Sequence, residues 1–165
     1  MKKIIVSTIF SCLTLITYGQ KFGHINSQEL LSLMPERLEA ESKLQEYAQG
    51  LQNQLMSMQS ELQASIDEYE NNVSSYDDLT KQDKEAAIQA IDQRIRTFQQ
   101  SAQISLQEKE TELLEPILRK AQNAIDEVAK DGKYTYILDS KVGGSLLYSK
   151  ESEDILPKVK KELGL

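Results

Sequence analysis

Two stretches decide the fold of this chain: YAQGLQNQLMSMQSEL, residues 47–62, and IQAIDQRIRTFQQSA, residues 88–102. In both stretches, apolar residues recur at alternating steps of three and four positions. The recurring residues are Ala48, Leu51, Leu55, Met58 and Leu62 in the first stretch, and Ile88, Ile91, Ile95, Phe98 and Ala102 in the second. Apolar residues at this spacing form a narrow stripe along one side of a helix, which is typical of a coiled-coil seam.

A polar segment separates the two stretches. Residues 71–78, NNVSSYDD, are rich in side chains that compete with helical hydrogen bonds, and Thr80–Asp83 resembles a capping box at the start of a second helix. The pattern therefore predicts an arm over residues 36–115, made of two long antiparallel helices joined by a tip. Each helix of roughly 36–40 residues would be about 55–60 Å long.

The segment before the arm predicts a short strand and a short helix. Residues 21–25, KFGHI, favour an extended segment, and Asn26 with Glu29 three residues later suits a helix N-terminus. Pro35 predicts a bend where the arm begins, because proline lacks an amide hydrogen and disfavours helical geometry at the preceding residue. Pro116 mirrors it near the end of the second helix, and the two prolines either share one hinge plane or are unrelated kinks.

The segment after the arm predicts a helix end followed by a β-hairpin. Gly132 favours the left-handed conformation that closes a helix. Residues 134–139, YTYILD, are dense in strand formers, and a turn at Gly143-Gly144 would pair them with a second strand over residues 145–149.

The flanks of the arm, residues 20–35 and 116–165, form the body of the predicted α+β fold, in which a long antiparallel α-helical coiled-coil hairpin stands on a small β-rich oligomerisation body. Asp154 caps its last helix, residues 155–163. Three short strands cannot bury a core alone, so association of several chains is expected, although periodicity does not fix their number. The candidate oligomerisation residues are Phe22, Ile25, Tyr134, Tyr136, Leu138, Leu146 and Tyr148.

The N-terminus predicts a secretory signal peptide over residues 1–19. Two lysines precede an apolar run from residue 4 to residue 16, and small residues favour cleavage after Gly19. A retained membrane anchor is disfavoured because the run is too short to span a bilayer. A lipoprotein signal at Cys12 would leave very little apolar core upstream. Since Cys12 is the only cysteine, the mature chain is expected to form no disulfide.

Acidic charge is concentrated in the arm. The whole chain has a net charge of −7, whereas residues 36–115 hold 7 basic and 17 acidic residues and therefore carry −10. Phosphate groups would be repelled by such a surface. The arm is therefore expected to bind no nucleic acid, and anionic lipid is a poor partner for it.

The chain has few residues that are suited to catalysis. The mature chain has one histidine, His24, and no cysteine, which excludes Cys–His catalysis and metal sites of clustered histidines and cysteines. Acidic pairs such as Glu108 and Glu112 share a helix face, as they do on any solvated helix. Gly143-Gly144 lacks the helix start and lysine of a phosphate-binding loop. We expect no catalytic activity, no metal and no cofactor.

Adaptable side chains on the arm are candidates for contact with a partner. Methionine deforms readily and tyrosine combines an apolar ring with a polar tip, so both suit varied partners. The candidates are Tyr47, Met56, Met58, Tyr69, Val73 and Tyr76. Met58 also fits the seam, whereas Met56 must face elsewhere. Because Ser65 and Asn72 fall at seam positions, we expect the outer arm to be loosely packed.

The order of these features resembles the Skp family of periplasmic chaperones, also called OmpH-like proteins. The resemblance covers the whole mature chain and is most visible at residues 22–26, FGHIN, at residues 34–36, MPE, and from Tyr134 through Tyr148. It implies a jellyfish-like homotrimer in which three helical arms enclose a cavity. It also implies a holdase that keeps unfolded outer-membrane proteins soluble in the periplasm without ATP.

The charge of the arm departs from the family's pattern. Basic arms in the family are invoked to attract acidic clients or lipopolysaccharide, whereas this arm is acidic. No lipopolysaccharide site is therefore carried over, and client capture would depend on apolar contact and enclosure or favour basic clients. The alternative function is a structural coiled-coil envelope adaptor that docks a folded partner through its arm tips, although residues 71–78 are short, acidic and only lightly apolar.

Overall fold

The computed structural model describes residues 20–144, 146 and 148–165. The fold is mostly helical, with a long helical hairpin and a small three-stranded parallel sheet. The elements in chain order are β1 (Phe22–Ile25), α1 (Ser27–Leu33), α2 (Pro35–Asn72), α3 (Asp78–Asp131), β2 (Tyr136–Asp139), β3 (Glu153–Asp154) and α4 (Leu156–Leu163). The predicted signal peptide, residues 1–19, lies outside the described residues.

The chain divides into two compact units. We call Met34–Lys120 the hairpin unit, and the residues up to Leu33 together with Ala121–Leu165 the terminal unit. In the hairpin unit, the predicted seam residues of α2 and α3 are half-buried or buried, while most positions around them are exposed. The alternating spacing therefore predicts the buried side of both helices. At 38 residues, α2 is about 57 Å long.

At the tip of the hairpin, the N-terminus of α3 is capped by an aspartate and not by the predicted capping box. The Asp77 carboxylate accepts a hydrogen bond from the backbone N–H of Thr80 at 2.8 Å, and α3 begins at Asp78. Because the helix already includes Thr80–Asp83, the cap predicted there is wrong. The hydrogen bond from the Thr80 backbone also lowers the pKa of the Asp77 carboxyl.

The two prolines have different effects. Met34 has an extended backbone, with φ −77° and ψ 122°, so α1 and α2 are separated directly before Pro35, as predicted. Pro116 lies inside α3, which continues to Asp131 as one helix. A proline removes one backbone hydrogen bond, and a helix of 54 residues has regular turns on both sides to continue through it.

The strand pairing of the terminal unit differs from the prediction. β1 is the central strand, and it pairs in parallel with β2 on one side and with β3 on the other. The described residues Leu146, Tyr148 and Ser149 belong to no strand, so the predicted hairpin with residues 134–139 is wrong. Local strand propensity favours a hairpin across a nearby turn, but parallel pairing with a distant β1 satisfies the same backbone groups.

The turn predicted at Gly143-Gly144 does form. Gly143 has a positive φ of 77°, and the Gly144 N–H donates to the Lys141 carbonyl at 2.7 Å. The chain then leads to β3 and α4, where the Ile155 N–H donates to the His24 carbonyl at 2.9 Å. Both long edges of β1 are thus occupied by backbone from the C-terminal part of the chain.

A small apolar core lies within the terminal unit. Its buried side chains come from β1, α1, the last turns of α3, and the start of α4: Ile25, Leu30, Ala121, Ala124, Val128, Ile155, Leu156 and Val159. The start of α1 is capped as predicted, because Asn26 Oδ1 accepts a hydrogen bond from the Glu29 N–H at 3.1 Å. At the start of α4 the N-cap position is Ile155 and not the predicted Asp154, which lies one residue earlier and accepts a hydrogen bond from the Leu156 N–H at 2.9 Å.

The end of α3 depends on a close approach between a glycine and a tyrosine. The helix ends at Asp131, but the left-handed residue is Lys133, with φ 53°, and not Gly132. A Cβ at Gly132 would lie 2.2 Å from the Tyr134 ring. The ring is held there because the Tyr134 hydroxyl donates to Glu153 Oε2 at 2.6 Å.

We expect Gly132→Ala to lower the free energy of unfolding by about 1–3 kcal/mol, because the added methyl group overlaps the Tyr134 ring. Gly50→Ala is the matched control. A Cβ at Gly50, inside α2, meets nothing within 4 Å, so alanine should raise stability by about 0.5–1 kcal/mol. Urea unfolding followed by circular dichroism measures both changes. Equal changes at the two positions would contradict the packing of Tyr134 against Gly132.

Candidate binding surfaces

The candidate residues in the middle of α2 differ in their exposure. Tyr47 and Met56 are exposed, whereas Met58 is half-buried at a seam position. The two methionines are two positions apart and therefore point to different sides of the helix. Tyr47 and Met56 are accordingly the members of this group that a partner can reach on the folded hairpin.

The candidate residues at the tip are partly used by the hairpin itself. The Tyr69 hydroxyl donates a hydrogen bond to the Glu85 carboxylate on α3, and this bond raises the pKa of Tyr69. The Tyr69 and Tyr76 rings lie 6.3 Å apart at an angle of 38°. Val73, in the 3₁₀ turn Val73–Ser75, is half-buried, as are both tyrosines. These contacts cover part of the apolar surface of the tip.

The two helices of the hairpin meet along a seam that contains open space. A groove of about 340 Å³ is lined by seam residues of both helices, among them Leu51, Leu55, Phe98, Ala102 and Leu106. Towards the tip, Arg94 donates to Glu61 at 2.5 Å and Lys84 donates to Glu68 at 2.6 Å, each across the hairpin. These pairs are exposed, so each contributes little stability, but they show which turns of the two helices lie opposite each other.

Four exposed apolar side chains of the two long helices were missed by sequence reasoning. They are Leu38 on α2 and Leu79, Ile104 and Leu118 on α3. The sequence signal was available, because none of the four falls at a seam position. A leucine or isoleucine that the seam does not bury is left in water, where it adds to the exposed apolar surface of its helix.

The sheet presents an aromatic pair at its surface. The rings of Phe22 on β1 and Tyr136 on β2 are stacked, with centroids 6.2 Å apart and an angle of 7°. Phe22 is 37% exposed and Tyr136 is 61% exposed. β2 is also an edge strand of the sheet. An exposed aromatic pair beside a strand edge is a suitable surface for a second polypeptide chain.

The other candidate oligomerisation residues have varied surroundings. Tyr148 is exposed, and Leu138 and Leu146 are half-buried. Ile25 is buried in the core of the terminal unit, where it already contributes to the stability of the single chain. The structure therefore brings Phe22 and Tyr136 together directly but does not show a single cluster of all seven residues.

Tyr134, the remaining candidate, belongs to a charged cluster. The Lys158 ammonium group donates to the Tyr134 hydroxyl at 2.9 Å and lies 2.6 Å from Glu153 Oε1. The Lys21 ammonium group lies 4.0 Å from the centre of the Tyr134 ring and 3.2 Å from Glu153 Oε2. Hydrogen bonds from Lys158, Tyr134 and Lys21 lower the pKa of Glu153 to about 2.

The single histidine makes a structural contact. His24 Nδ1 lies 2.8 Å from Ser152 Oγ, beside the pairing of β1 with β3. Within the described part of the chain, no group of three or more histidine, cysteine, aspartate or glutamate residues is placed to hold a metal ion. None of the helices among the described residues is both long enough and apolar enough to cross a membrane.

A comparison with protein families shows which family the chain belongs to. The model of the family described as outer membrane protein (OmpH-like) matches residues 21–163. The chain belongs to the OmpH-like (Skp) family. This family consists of periplasmic chaperones and is non-enzymatic.

The fold is shared with a solved OmpH-like structure. A protein from Caulobacter crescentus CB15, assigned as an outer membrane chaperone, matches with a TM-score of 0.75 and 14% sequence identity. The match covers 87% of this chain and 83% of that chain. At this identity the likeness establishes the fold. A comparison with curated proteins found no match.

The Glu153 cluster predicts that acid weakens the terminal unit of this OmpH-like chain. The folded pKa of Glu153, about 2, lies below the ordinary value of 4.5. The contribution of Glu153 to stability is therefore fully present above about pH 4.5 and is lost as the pH falls towards 2. Glu153→Gln should flatten the fall of the urea midpoint across this range. A fall as steep as that of the wild type would contradict the role of Glu153.

Proposed function

We propose that the chain is a periplasmic holdase that binds unfolded outer-membrane proteins and prevents their aggregation without ATP. The single observation that carries this proposal is the exposed apolar surface of the long hairpin in a member of a chaperone family. The seam buries only one stripe of each helix, so side chains such as Tyr47, Met56 and Ile104 remain in contact with water. These isolated apolar side chains offer an unfolded chain several weak contacts.

Several weak contacts suit the capture of clients that have no fixed shape. Each contact alone is weak, but contacts on one hairpin act at a high effective concentration once the first has formed. A client can therefore be held without a complementary surface, and it can leave without an energy source. The tip is less suited to docking one folded partner, because Tyr69 and Tyr76 are engaged within the hairpin.

The acidic arm favours clients that are basic or uncharged. Residues 36–115 carry a net charge of −10, so acidic segments and the phosphates of lipopolysaccharide are repelled. Apolar contact then supplies attraction that charge does not. We propose that lipopolysaccharide and lipid take no direct part in binding.

A homotrimer is the assembly that we propose for the working chaperone. The exposed Phe22–Tyr136 pair and the edge position of β2 support association through the terminal unit. A sheet with strands of four, four and two residues is small for an independent body. Three copies would place three hairpins around a shared space for the client, in the periplasm after removal of residues 1–19.

The proposed function predicts the outcome of an aggregation assay. An outer-membrane β-barrel protein is unfolded in urea and diluted with and without the mature chain. We expect the chain to suppress light scattering at a stoichiometric amount, equally with and without ATP. Indifference to the unfolded barrel, combined with binding of one folded envelope protein, would support the adaptor function instead.

The proposed assembly predicts an effect of changing the aromatic pair. Phe22→Ser with Tyr136→Ser should shift the mature chain from trimer towards monomer in native mass spectrometry, because the exposed stacked rings are removed. Val142→Ser is the matched control, since Val142 is an exposed apolar residue on the turn and belongs to no strand. A wild-type chain that is monomeric at all concentrations would contradict the trimer.

A further inference from the structure

The charged residues of the hairpin are unevenly distributed. Residues 47–60 of α2, YAQGLQNQLMSMQS, contain no aspartate, glutamate, lysine or arginine, and neither do residues 97–107 of α3, TFQQSAQISLQ. All 24 charged residues of the arm fall outside these two segments: 6 lie in residues 36–46, 13 in residues 61–96 and 5 in residues 108–115. We call the two uncharged segments together the neutral belt.

The two segments of the neutral belt face each other across the hairpin. Seam residues of both segments, including Leu51, Leu55, Phe98 and Ala102, line one groove. The Arg94–Glu61 pair lies at the tip side of this groove. On the other side, Lys120 contacts Glu36 across the hairpin. The neutral belt is therefore one continuous zone of the hairpin, with charged zones on both sides.

The seam does not explain the absence of charge in the belt. A seam needs apolar residues on one side of each helix only, and the outward positions of a soluble helix usually carry charge. The flanking zones follow this rule and gain ion pairs along the helix, such as Arg37–Glu41, Arg96–Asp92 and Lys109–Glu112. The belt has amide and hydroxyl side chains at the equivalent positions.

The exposed surface of the belt has both hydrogen-bonding and apolar groups. Its exposed amides are Gln49, Gln52, Asn53, Gln54, Gln59, Gln99, Gln100, Gln103 and Gln107. An amide side chain both donates and accepts hydrogen bonds, so it can pair with the N–H and C=O groups of an unfolded backbone in many registers. The exposed apolar residues Tyr47, Met56 and Ile104 lie among these amides.

We propose that the neutral belt is the surface that binds uncharged, extended client segments in which apolar residues alternate with small polar ones. This inference rests on the proposed holdase function and specifies its binding site. Strands of outer-membrane barrels have this alternating pattern. The 14 residues of the α2 segment span about 21 Å, which is the length of roughly six residues of extended chain.

Charge matching is the reason for choosing this client segment. Bringing an apolar segment against a charged side chain removes water from the charge, which costs free energy unless the charge finds a partner. The belt has no charge to desolvate, while the acidic zones beside it stay hydrated. A second copy of the hairpin is a poorer occupant, because the outward face of the belt is mostly amide and hydroxyl, whereas stable self-association favours an apolar centre.

The test uses two pairs of variants of the mature chain that make the same kind of change in different zones. Met56→Glu with Ile104→Glu places charge in the belt, at residues that are 57% and 59% exposed. Leu38→Glu with Leu79→Glu is the control outside the belt, at residues that are 67% and 69% exposed. Both pairs add two charges and remove two exposed apolar side chains. Circular dichroism checks that each variant is folded.

Three probes are used: a porin-type barrel protein diluted from urea, and two synthetic peptides of about ten residues. One peptide alternates valine or leucine with serine or threonine, and the other has glutamate at the polar positions. We expect the belt variant to bind the uncharged peptide about tenfold more weakly than the wild type does, and the control variant to stay within about twofold. Binding of the uncharged peptide should change little with salt, because no charge pair forms.

The outcomes separate the belt from the chaperone function. If the wild type does not prevent aggregation of the barrel protein, the holdase proposal fails and the belt proposal fails with it. If the wild type prevents aggregation but the two variants bind the uncharged peptide equally well, the belt proposal alone is overturned. A belt variant that binds the peptide like the wild type but changes its assembly state in sedimentation would assign the belt to a second copy and would also overturn the proposal.

Discussion

The narrow apolar seam between α2 and α3 is the constraint on which the rest of the structure depends. Exposed cross-hairpin ion pairs such as Arg94–Glu61 add little free energy, so the seam side chains are what hold the two long helices together. A seam of this kind uses one side of each helix and leaves the other sides in water. The residues on those sides are not needed for packing and can therefore contact a partner. This links the packing of the hairpin to its proposed function.

The terminal unit depends on pairing between strands that are distant in the chain. Its central strand β1 comes from the beginning of the described chain, while both neighbouring strands come from the end. Such parallel pairing between distant segments closes a long loop before any contact compensates for it, so the sheet forms only after the whole hairpin has been synthesised. The charged cluster around Glu153 and the close packing of Tyr134 on Gly132 reinforce a sheet that has few residues of its own.

Features of the fold that depend on neighbouring residues could be predicted from the sequence, and features that depend on distant residues could not. The seam, the break before Pro35 and the Asn26 cap were predictable, because each depends on residues within a few positions of one another. The partner of β2 was not predictable, because a nearby turn and two strand-like runs favour a local hairpin, and nothing in the two-residue strand β3 indicates pairing with β1. The exposed apolar residues of α3 could be recognised in the sequence because they lie off the seam. The neutral belt could be recognised only from the structure, which shows that its two segments lie side by side.

The central claim is that unfolded clients contact the uncharged middle of the hairpin. Site-specific photocrosslinking tests it most directly, with the crosslinker placed at four exposed polar positions: Ser57 and Gln100 in the neutral belt, Ser42 and Asn71 outside it. With a barrel protein diluted from urea, the account predicts strong crosslinks from Ser57 and Gln100 and weak ones from Ser42 and Asn71. Crosslinks of equal strength from all four positions, or strongest from Asn71 at the tip, would contradict it.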